Sequence, residues 1–334
     1  MTSRERPLDR GTSSVGAAGG RVIERLVHVG NVVIDLVMNV PALPVRGGDM
    51  LARSSQVTAG GGYNVMTAAR RQGLPVTYAG AHGTGPFGDL ARRQLGEAGI
   101  DIAQPAEPGV DTGFDVALVD AQGERTFATS LGAEARLERR HLDAVPVKPT
   151  DAVYVSGYGL VYPTNGPAIA GWLRGLPGQT LVVTDPGPLV SDIPEPVREA
   201  VLERTDWWSA NLREARELTG QSDPVRVAEA LYERTGRAGV VVRTGPDGAV
   251  LRERGHPVVV VPGFPVSQVD ANGAGDAHVG TFIAGLAHGL SAADAVRRAN
   301  AAAAIAVTRS GPATAPTAAE TDAFLAAAPA PLRT

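Results

Sequence analysis

The residues with the clearest capacity for chemistry lie in one short stretch, Gly273-Ala274-Gly275-Asp276, at the start of a segment with helical apolar spacing. Small residues at the beginning of a helix let backbone N–H groups approach a ligand closely, and the helix dipole favours an anion there. An aspartate in that turn would lie beside a bound phosphate, where it could take the proton of an attacking hydroxyl group. The spacing therefore indicates a phosphoryl-transfer site, although an N-capping aspartate beside a glycine turn would have the same sequence.

Strands and helices alternate along most of the chain, and these elements must position the glycine-rich stretch. Apolar, β-branched runs predict buried strands at 25–32, 76–81, 151–156, 181–185, 240–244 and 258–261. Amphipathic segments predict helices at 65–72, 89–98, 166–174, 197–203, 212–218, 225–235, 276–289, 292–309 and 318–327. This alternation favours an α/β fold with a doubly wound, mostly parallel sheet that has helices on both faces.

Two stretches interrupt the alternation, at 48–58 and 112–129, and both have strand-like residues without an intervening helix. We therefore expect a small β-sheet lid, formed by about 36–59 and 110–130, within one α/β domain that covers 22–328. Residues 1–21 are polar and predict a disordered leader. Residues 329–334 predict a frayed tail.

Composition excludes several mechanisms and partners. The chain of 334 residues has no cysteine and a single lysine, Lys148, which lies outside any GxxxxGK[ST] loop. These counts exclude disulfides, cysteine nucleophiles and a P-loop, and Lys148 has a poor context for a Schiff base. A net charge of −4 gives no electrostatic reason to expect nucleic acid or a membrane as a partner. Because no apolar run approaches the length of a membrane span, we expect a cytoplasmic protein.

Three motifs, which occur along the chain in the family's order, resemble those of the ribokinase/PfkB family of carbohydrate kinases. Residues 270–276, DANGAGD, are similar to the family's D-T-x-G-A-G-D signature. A second signature is matched by GGGYN at 60–64 and the small-residue–Arg–Gly pattern at 68–73. Residues 299–311, ANAAAAIAVTRSG, are also similar to ribokinases, and matches run from about Val29 to Leu325. The resemblance implies a doubly wound α/β domain with a small β-sheet lid.

The resemblance also implies ATP-dependent transfer of the γ-phosphoryl group to a hydroxymethyl group of a sugar or related small molecule. Asp276 would be the catalytic base, and the anion hole would be formed by Gly273, Ala274, Gly275 and the N–H of Asp276. The substrate would be bound by Asp35, Gly60, Gly61, Gly62, Asn64 and Tyr158.

The cofactors that the resemblance implies are ATP and Mg²⁺, with K⁺ as a further candidate. The nucleotide side of the site would be formed by Asn211, Glu214, Thr244, Gly245, Gly248 and Asn300. Glu214 would hold Mg²⁺ through water, which suits an ion that keeps several water ligands. A monovalent-cation loop would comprise Asp270, Asn272, Ala306, Arg309, Gly311 and Ala315.

Several positions depart from the family's pattern. Ala271 replaces a threonine of the signature, and Ala315 lacks the hydroxyl group that ribokinases often offer to the cation. Val33 replaces a sugar-binding asparagine, and Tyr63 is bulkier than expected. Such changes should alter substrate choice, so fructose, ribose, 2-keto-3-deoxygluconate, a nucleoside and a sugar phosphate all remain open. In the family such lids often pair between subunits, so a homodimer through the lid is a further expectation.

Two other functions compete with a sugar kinase. A nucleoside (adenosine-like) kinase of the same fold would share its phosphoryl-transfer motifs. An NAD-dependent dehydrogenase would instead use Gly83-x-Gly85-x-x-Gly88, which lies between a predicted strand and a predicted helix, with Asp101 or Asp111 on the ribose. The dehydrogenase would leave the GAGD stretch and the N-x-x-E segment, Asn211 to Glu214, without a purpose.

Overall fold

The protein is described by a computed structural model, which covers residues 21–328. In chain order the strands are β1 (Arg25–His28), β2 (Val32–Asn39), β3 (Ser54–Gly61), β4 (Val76–Tyr78), β5 (Asp101–Ile102), β6 (Phe114–Val119), β7 (Arg125–Ser130), β8 (Asp151–Ser156), β9 (Leu181–Asp185), β10 (Trp207–Asn211), β11 (Gly239–Arg243), β12 (Gly248–Glu253) and β13 (Val259–Pro262). The helices are α1 (Gly62–Arg71), α2 (Pro86–Glu97), α3 (Arg139–Asp143), α4 (Gly157–Leu160), α5 (Asn165–Leu173), α6 (Glu195–Arg204), α7 (Leu212–Thr219), α8 (Pro224–Thr235), α9 (Ala274–Ala287), α10 (Ala292–Val307) and α11 (Ala318–Ala327). Apart from Arg21, the predicted leader and tail lie outside the described residues.

The larger sheet has nine strands in the order β13-β12-β11-β10-β9-β8-β1-β4-β5. All pairs from β11 to β5 are parallel, whereas β12 and β13 add an antiparallel edge. Side chains of consecutive residues enter different apolar cores, as Trp207 and Trp208 do on opposite faces of β10. Because both faces are buried under helices, the strands are almost continuously apolar. The predicted doubly wound α/β fold is confirmed.

The second sheet has four strands in the order β3-β2-β6-β7. Strand β2 pairs antiparallel with β3 and parallel with β6, and β7 closes a hairpin with β6. The prediction of one strand over 25–32 is wrong, because the run divides between β1 of the larger sheet and β2 of the smaller one. The chain turns at Gly30, where a Cβ would lie 2.4 Å from the His28 ring.

Polar residues follow the parallel strands at one edge of the larger sheet. Asn31 comes after β1, and Ser156, Asp185, Asn211 and Arg243 are the last residues of β8 to β11. The chain order reverses at β1, between β8 and β4, so a crevice opens there at the carboxyl ends of the strands. Ligand sites of open α/β sheets form in such crevices.

The opposite edge carries the single lysine. Lys148 is exposed and lies just before the amino end of β8. Its carbonyl oxygen accepts hydrogen bonds from the Asp151 N–H at 3.0 Å and the Thr180 hydroxyl at 3.0 Å. Within residues 21–328, none of the helices combines the length and apolar character that crossing a bilayer requires.

Candidate active site

The glycine-rich stretch forms the N-terminus of α9. Gly273 has a φ of 72°, which favours glycine, and a Cβ there would lie 2.0 Å from the Pro312 carbonyl oxygen. The Ala274 N–H donates at 3.3 Å to a carbonyl oxygen of the preceding loop. The N–H groups of Gly275 and Asp276 belong to the first turn, which has no intrahelical acceptors for them. This turn can therefore hold an anion.

Asp276 lies in that first turn, with its side chain directed into a cavity. The Asn64 Nδ2 donates to Asp276 Oδ2 at 3.2 Å, which fixes the carboxylate. Burial raises the pKa of Asp276 to about 7, and the neighbouring charge of Asp185 adds to the shift, while Asn64 and Arg243 oppose it. A carboxyl group that ionises near neutral pH suits a general base.

The cavity that contains Asp276 has a volume of about 250 Å³ and lies between the smaller sheet and the carboxyl ends of the larger one. The predicted substrate residues that line it are Asp35, Gly61, Gly62, Asn64 and Tyr158. Gly60 lies behind the wall, where a Cβ would be 2.2 Å from both carboxylate oxygens of Asp35. A side chain at position 60 would therefore displace the Asp35 carboxylate.

Asp35 shares this cavity with a second carboxylate of the smaller sheet, Asp115, which the sequence analysis missed. Asp35 of β2 and Asp115 of β6 are register partners, so both side chains project from the same face of the sheet. Burial raises the pKa of Asp35 to about 7, and the charges of Asp115 and Asp276 add to the shift. Burial also raises the pKa of Asp115.

Asp185 and Arg243 are further site residues that the sequence analysis missed. Arg243 Nη2 lies 2.9 Å from Asp185 Oδ2 and 3.8 Å from Glu214 Oε2, and its Nη1 donates to Ser209 Oγ at 2.6 Å. Position alone could have identified both residues, because each is the last residue of a buried parallel strand.

Asn211 and Glu214 form a capping box at the start of α7. The Asn211 Nδ2 and N–H donate to the two Glu214 oxygens at 2.7 and 2.9 Å, and the Glu214 N–H donates to Asn211 Oδ1 at 2.9 Å. Burial raises the pKa of Glu214, and the charge of Asp185 adds to the shift. Asn211 and Glu214 thus stabilise the start of α7, in addition to their predicted role on the nucleotide side of the site.

The donor set fits Mg²⁺ held largely by water and phosphate. Glu214 and Asp185 both line the cavity that contains Asp276, and carboxylate oxygens are hard ligands of the kind Mg²⁺ prefers. Within residues 21–328, no three His, Asp or Glu side chains converge on one point as a closed metal site would require. Mg²⁺ seldom uses such all-protein cages and is instead bound by one or two carboxylates with substrate phosphates.

A second cavity, of about 550 Å³, adjoins the first, and both are lined by Asn211, Arg243 and Gly275. The predicted nucleotide residues that line it are Asn211, Gly245, Gly248 and Asn300. Thr244 does not line it; its N–H donates to the Gly248 carbonyl oxygen at 2.8 Å within the β11–β12 turn. The GAGD turn therefore lies where the two cavities meet.

The amide of Asn300 is fully used by protein groups. Its Nδ2 donates to the carbonyl oxygens of Val261 and Pro262 at 3.0 and 3.1 Å, and its Oδ1 lies 3.1 Å from His278 Nε2. Burial lowers the pKa of His278 to about 3, so this ring stays neutral. Asn300 therefore joins β13 to α9 and shapes the wall of the second cavity.

Some of the residues predicted to bind a monovalent cation have oxygens with partners in the protein. The Asp270 carboxylate accepts the N–H groups of Asn272 and Gly311 at 2.8 and 3.1 Å and forms an ion pair with Arg125 of β7. The Ala315 carbonyl oxygen accepts Arg71 Nη1 at 2.7 Å.

Ala306 and Arg309 of this loop also form hydrogen bonds within the protein. The Ala306 carbonyl oxygen accepts the Arg309 N–H at 3.1 Å and the Thr314 hydroxyl at 3.2 Å. The Arg309 side chain pairs with Glu320 at 2.6 Å. The K⁺ loop stays a prediction.

The GxGxxG segment does begin a helix after a strand, but its anion position is filled. Asp111 accepts the N–H groups of Phe87 and Gly88 at 3.1 and 2.7 Å, at the N-terminus of α2. A Cβ at Gly85 would lie 2.6 Å from the Asp111 carboxyl carbon. The chain's own carboxylate therefore occupies the place of a pyrophosphate, and the dinucleotide interpretation is wrong.

Known proteins with similar sequences are kinases. The model of the pfkB family carbohydrate kinases matches residues 23–319. The uncharacterized sugar kinase YegV of Escherichia coli is 34% identical over 299 residues, which are 88% of this chain and 92% of that protein. An ATP-dependent ribose-1-phosphate kinase of Halopiger xanaduensis is 32% identical over 90% of this chain and 98% of its own.

A solved structure agrees with the fold. Ribokinase of Arabidopsis thaliana, in complex with ribose and ATP, superposes with a TM-score of 0.73 at 22% identity and covers 91% of this chain and 99% of its own. Together, the family match over most of the chain and the two kinase relatives establish the classification. The chain belongs to the pfkB family of carbohydrate kinases.

Proposed function

We propose that the protein transfers the γ-phosphoryl group of ATP to a hydroxymethyl group of a sugar or related small molecule, with Asp276 as the base. The observation that carries the proposal is the position of Asp276. Its carboxylate lies in the first turn of α9, in the smaller cavity and next to the place where the larger cavity joins it. An acceptor hydroxyl in one cavity would face a triphosphate in the other across this residue.

The acceptor would be held by Asp35 and Asn64, with its hydroxymethyl group toward Asp276. As Asp276 takes the hydroxyl proton, the oxygen forms a bond to the γ-phosphorus, and the bond from that phosphorus to the bridging β–γ oxygen breaks. ADP leaves with the bridging oxygen, and protonated Asp276 releases its proton to solvent. The N–H groups of the GAGD turn stabilise the charge that develops on the transferred group.

Glu214 and Asn211 would hold Mg²⁺ through water, with Asp185 close by. The ion would neutralise charge on the phosphate oxygens. Arg243 would contribute a second positive charge where the cavities meet, since its guanidinium lines both. The side of the larger cavity formed by Gly245 and Gly248 would carry the nucleotide. K⁺ is a further candidate cofactor, as the resemblance to the family implies.

The smaller sheet would act as a lid over the acceptor. It contributes Asp35, Asp115 and Phe127 to the cavity wall, so its closure would exclude water from the phosphoryl group. We also propose a homodimer through the lid, as the resemblance to the family implies. Light scattering at several protein concentrations would test the dimer, and a monomer throughout would contradict it.

A coupled assay of ADP release with a panel of sugars and nucleosides tests the activity. Phosphorylated product should appear by mass spectrometry in proportion to the ADP released. The panel should include the sugar phosphate class that the name of the Halopiger relative indicates, because that relative and YegV differ in their named substrates. ADP release that no acceptor stimulates, with no phosphorylated product, would refute the proposed function.

A further inference from the structure

Three oxygens without hydrogen-bond partners line the smaller cavity, which contains Asp276 and would hold the substrate. Each of them can accept a hydrogen bond. They are the Oδ1 atoms of Asn31, Asn64 and Asp115, each buried and without a partner in the protein. Asn31 and Asn64 are only 4% and 7% exposed. Buried polar atoms without partners are rare in folded proteins and costly, so a ligand that supplies donors is the natural explanation.

The three atoms come from different elements of the fold. Asn31 lies in the turn after β1, Asn64 on α1 and Asp115 on β6, so they surround the cavity from three directions. Asp35, on the neighbouring strand beside Asp115, adds a fourth group that can accept hydrogen bonds. A molecule that satisfies them must present several donors at separate positions around its frame, as the hydroxyl groups of a polyol do.

The charges of the cavity oppose an anionic ligand. Its lining includes the carboxylates of Asp35, Asp115 and Asp276, in addition to Asp185 and Glu214. The sole guanidinium among the lining residues of this cavity is that of Arg243, which already pairs with Asp185 at 2.9 Å.

The arginine of the β6–β7 hairpin is also engaged. Arg125, at the start of β7, forms its ion pair with Asp270. A phosphate or carboxylate group on the acceptor would therefore meet like charges in this cavity, and the guanidinium that lines it is already paired.

On the basis of the proposed kinase activity, we propose that Asn31 and Asp115 are specificity-determining residues that accept hydrogen bonds from the acceptor substrate, an uncharged polyol. Acceptors that carry a phosphate or carboxylate group are rejected by the paired carboxylates of Asp35 and Asp115. The sugar phosphates and sugar acids among the candidate substrates are thereby excluded, and neutral sugars and nucleosides remain.

The test compares, at pH 8, kcat/KM for neutral sugars and nucleosides with that for their phosphorylated or carboxylated analogues. The wild-type protein should favour the best neutral acceptor by at least about 100-fold. Asp115→Asn keeps the size of the side chain but removes its charge and one oxygen that can accept hydrogen bonds. It should lower kcat/KM for the neutral acceptor about 10- to 100-fold, mainly through KM, and reduce the preference for neutral acceptors at least tenfold.

Asn31→Ala should raise KM for the neutral acceptor about tenfold and leave the preference against anions unchanged, because it removes no charge. Asp120→Asn is the matched control. Asp120 lies in the β6–β7 turn of the same sheet, outside the cavity, and its Oδ1 accepts turn N–H groups that an asparagine oxygen can also accept. The control should retain wild-type values of kcat/KM for both kinds of acceptor.

A wild-type protein that phosphorylates a sugar phosphate or sugar acid best would overturn the inference while leaving the kinase proposal intact. An unchanged preference in Asp115→Asn would overturn it as well. If no acceptor is phosphorylated, the proposed function fails, and titration calorimetry with the same panel still decides the inference. Binding of anionic but not neutral members would then refute it, and circular dichroism establishes that each variant is folded.

Discussion

Replacing Asp276 by asparagine should inactivate the protein and stabilise it at the same time. Burial raises the pKa of this group from 3.8 to about 7, so the folded state binds its proton more tightly than the unfolded state does. The stability that this proton contributes is complete below pH 4 and is lost as the pH rises through 7. At pH 8 the folded protein therefore holds a buried charge that asparagine would not have.

The expected change in stability follows from how far the pKa of Asp276 is raised. About three pH units correspond to roughly 4 kcal/mol, and the opposing contributions of Asn64 and Arg243 change when the charge is removed. We expect Asp276→Asn to be more stable than wild type by on the order of 1–4 kcal/mol at pH 8, or several degrees in Tm. At pH 5 the folded Asp276 is protonated but the unfolded aspartate is still largely ionised, so the difference should shrink to less than half of its value at pH 8, and it should vanish only below pH 4. The kcat of Asp276→Asn should fall about 10²–10⁴-fold, because an amide cannot accept the proton.

Thermal denaturation at pH 5 and pH 8, with kcat at pH 8, makes both measurements on the same samples. Asp89→Asn is the control, because the Asp89 side chain is 68% exposed and should change stability by less than about 0.5 kcal/mol. Equal Tm values for Asp276→Asn and wild type at pH 8 would refute the burial argument. Full activity in the variant would refute the assignment of the base.

Three further predictions concern the neighbours of this group. Because both Asp35 and Asp276 must be ionised and have pKa values near 7, kcat/KM should fall about tenfold or more per pH unit below 7, and a profile that is flat down to pH 5.5 would contradict this. Glu214→Gln should raise the free Mg²⁺ needed for half-maximal rate about tenfold at saturating ATP, and an unchanged Mg²⁺ titration would exclude its role. Arg125→Ala removes the ion pair between the lid and Asp270 and should raise KM for the acceptor about fivefold with little change in kcat, as steady-state kinetics would reveal.

The parts of the site that could be predicted from sequence are those whose chemistry depends on local backbone shape. The GAGD stretch needs a left-handed glycine at Gly273 followed by a helix, and the sequence displays both requirements within a few residues. Long β-branched runs such as 151–156 and 181–185 likewise predict buried strands with correct bounds. Strand β10, WWSAN, was missed because it contains no β-branched residue.

The remaining site residues depend on long-range pairing. Asp115 is the one polar residue of β6, and a single polar residue in an apolar strand does not indicate whether its side chain meets solvent or a cavity. Only the pairing of β6 with β2 places it beside Asp35. Arg243 and Asp185 lie on strands that are far apart in sequence, so their contact could not be predicted from spacing alone.

The position of the single lysine makes the protein simple to tether in one orientation. Lys148 precedes β8, whose six residues end at Ser156 on the cavity wall. At about 3.3 Å per residue, the strand separates the two ends by roughly 20 Å. Once the α-amino group is blocked, an amine-reactive support finds one side chain to attach, at the edge away from the cavity, so immobilised molecules would all present their catalytic edge to solution.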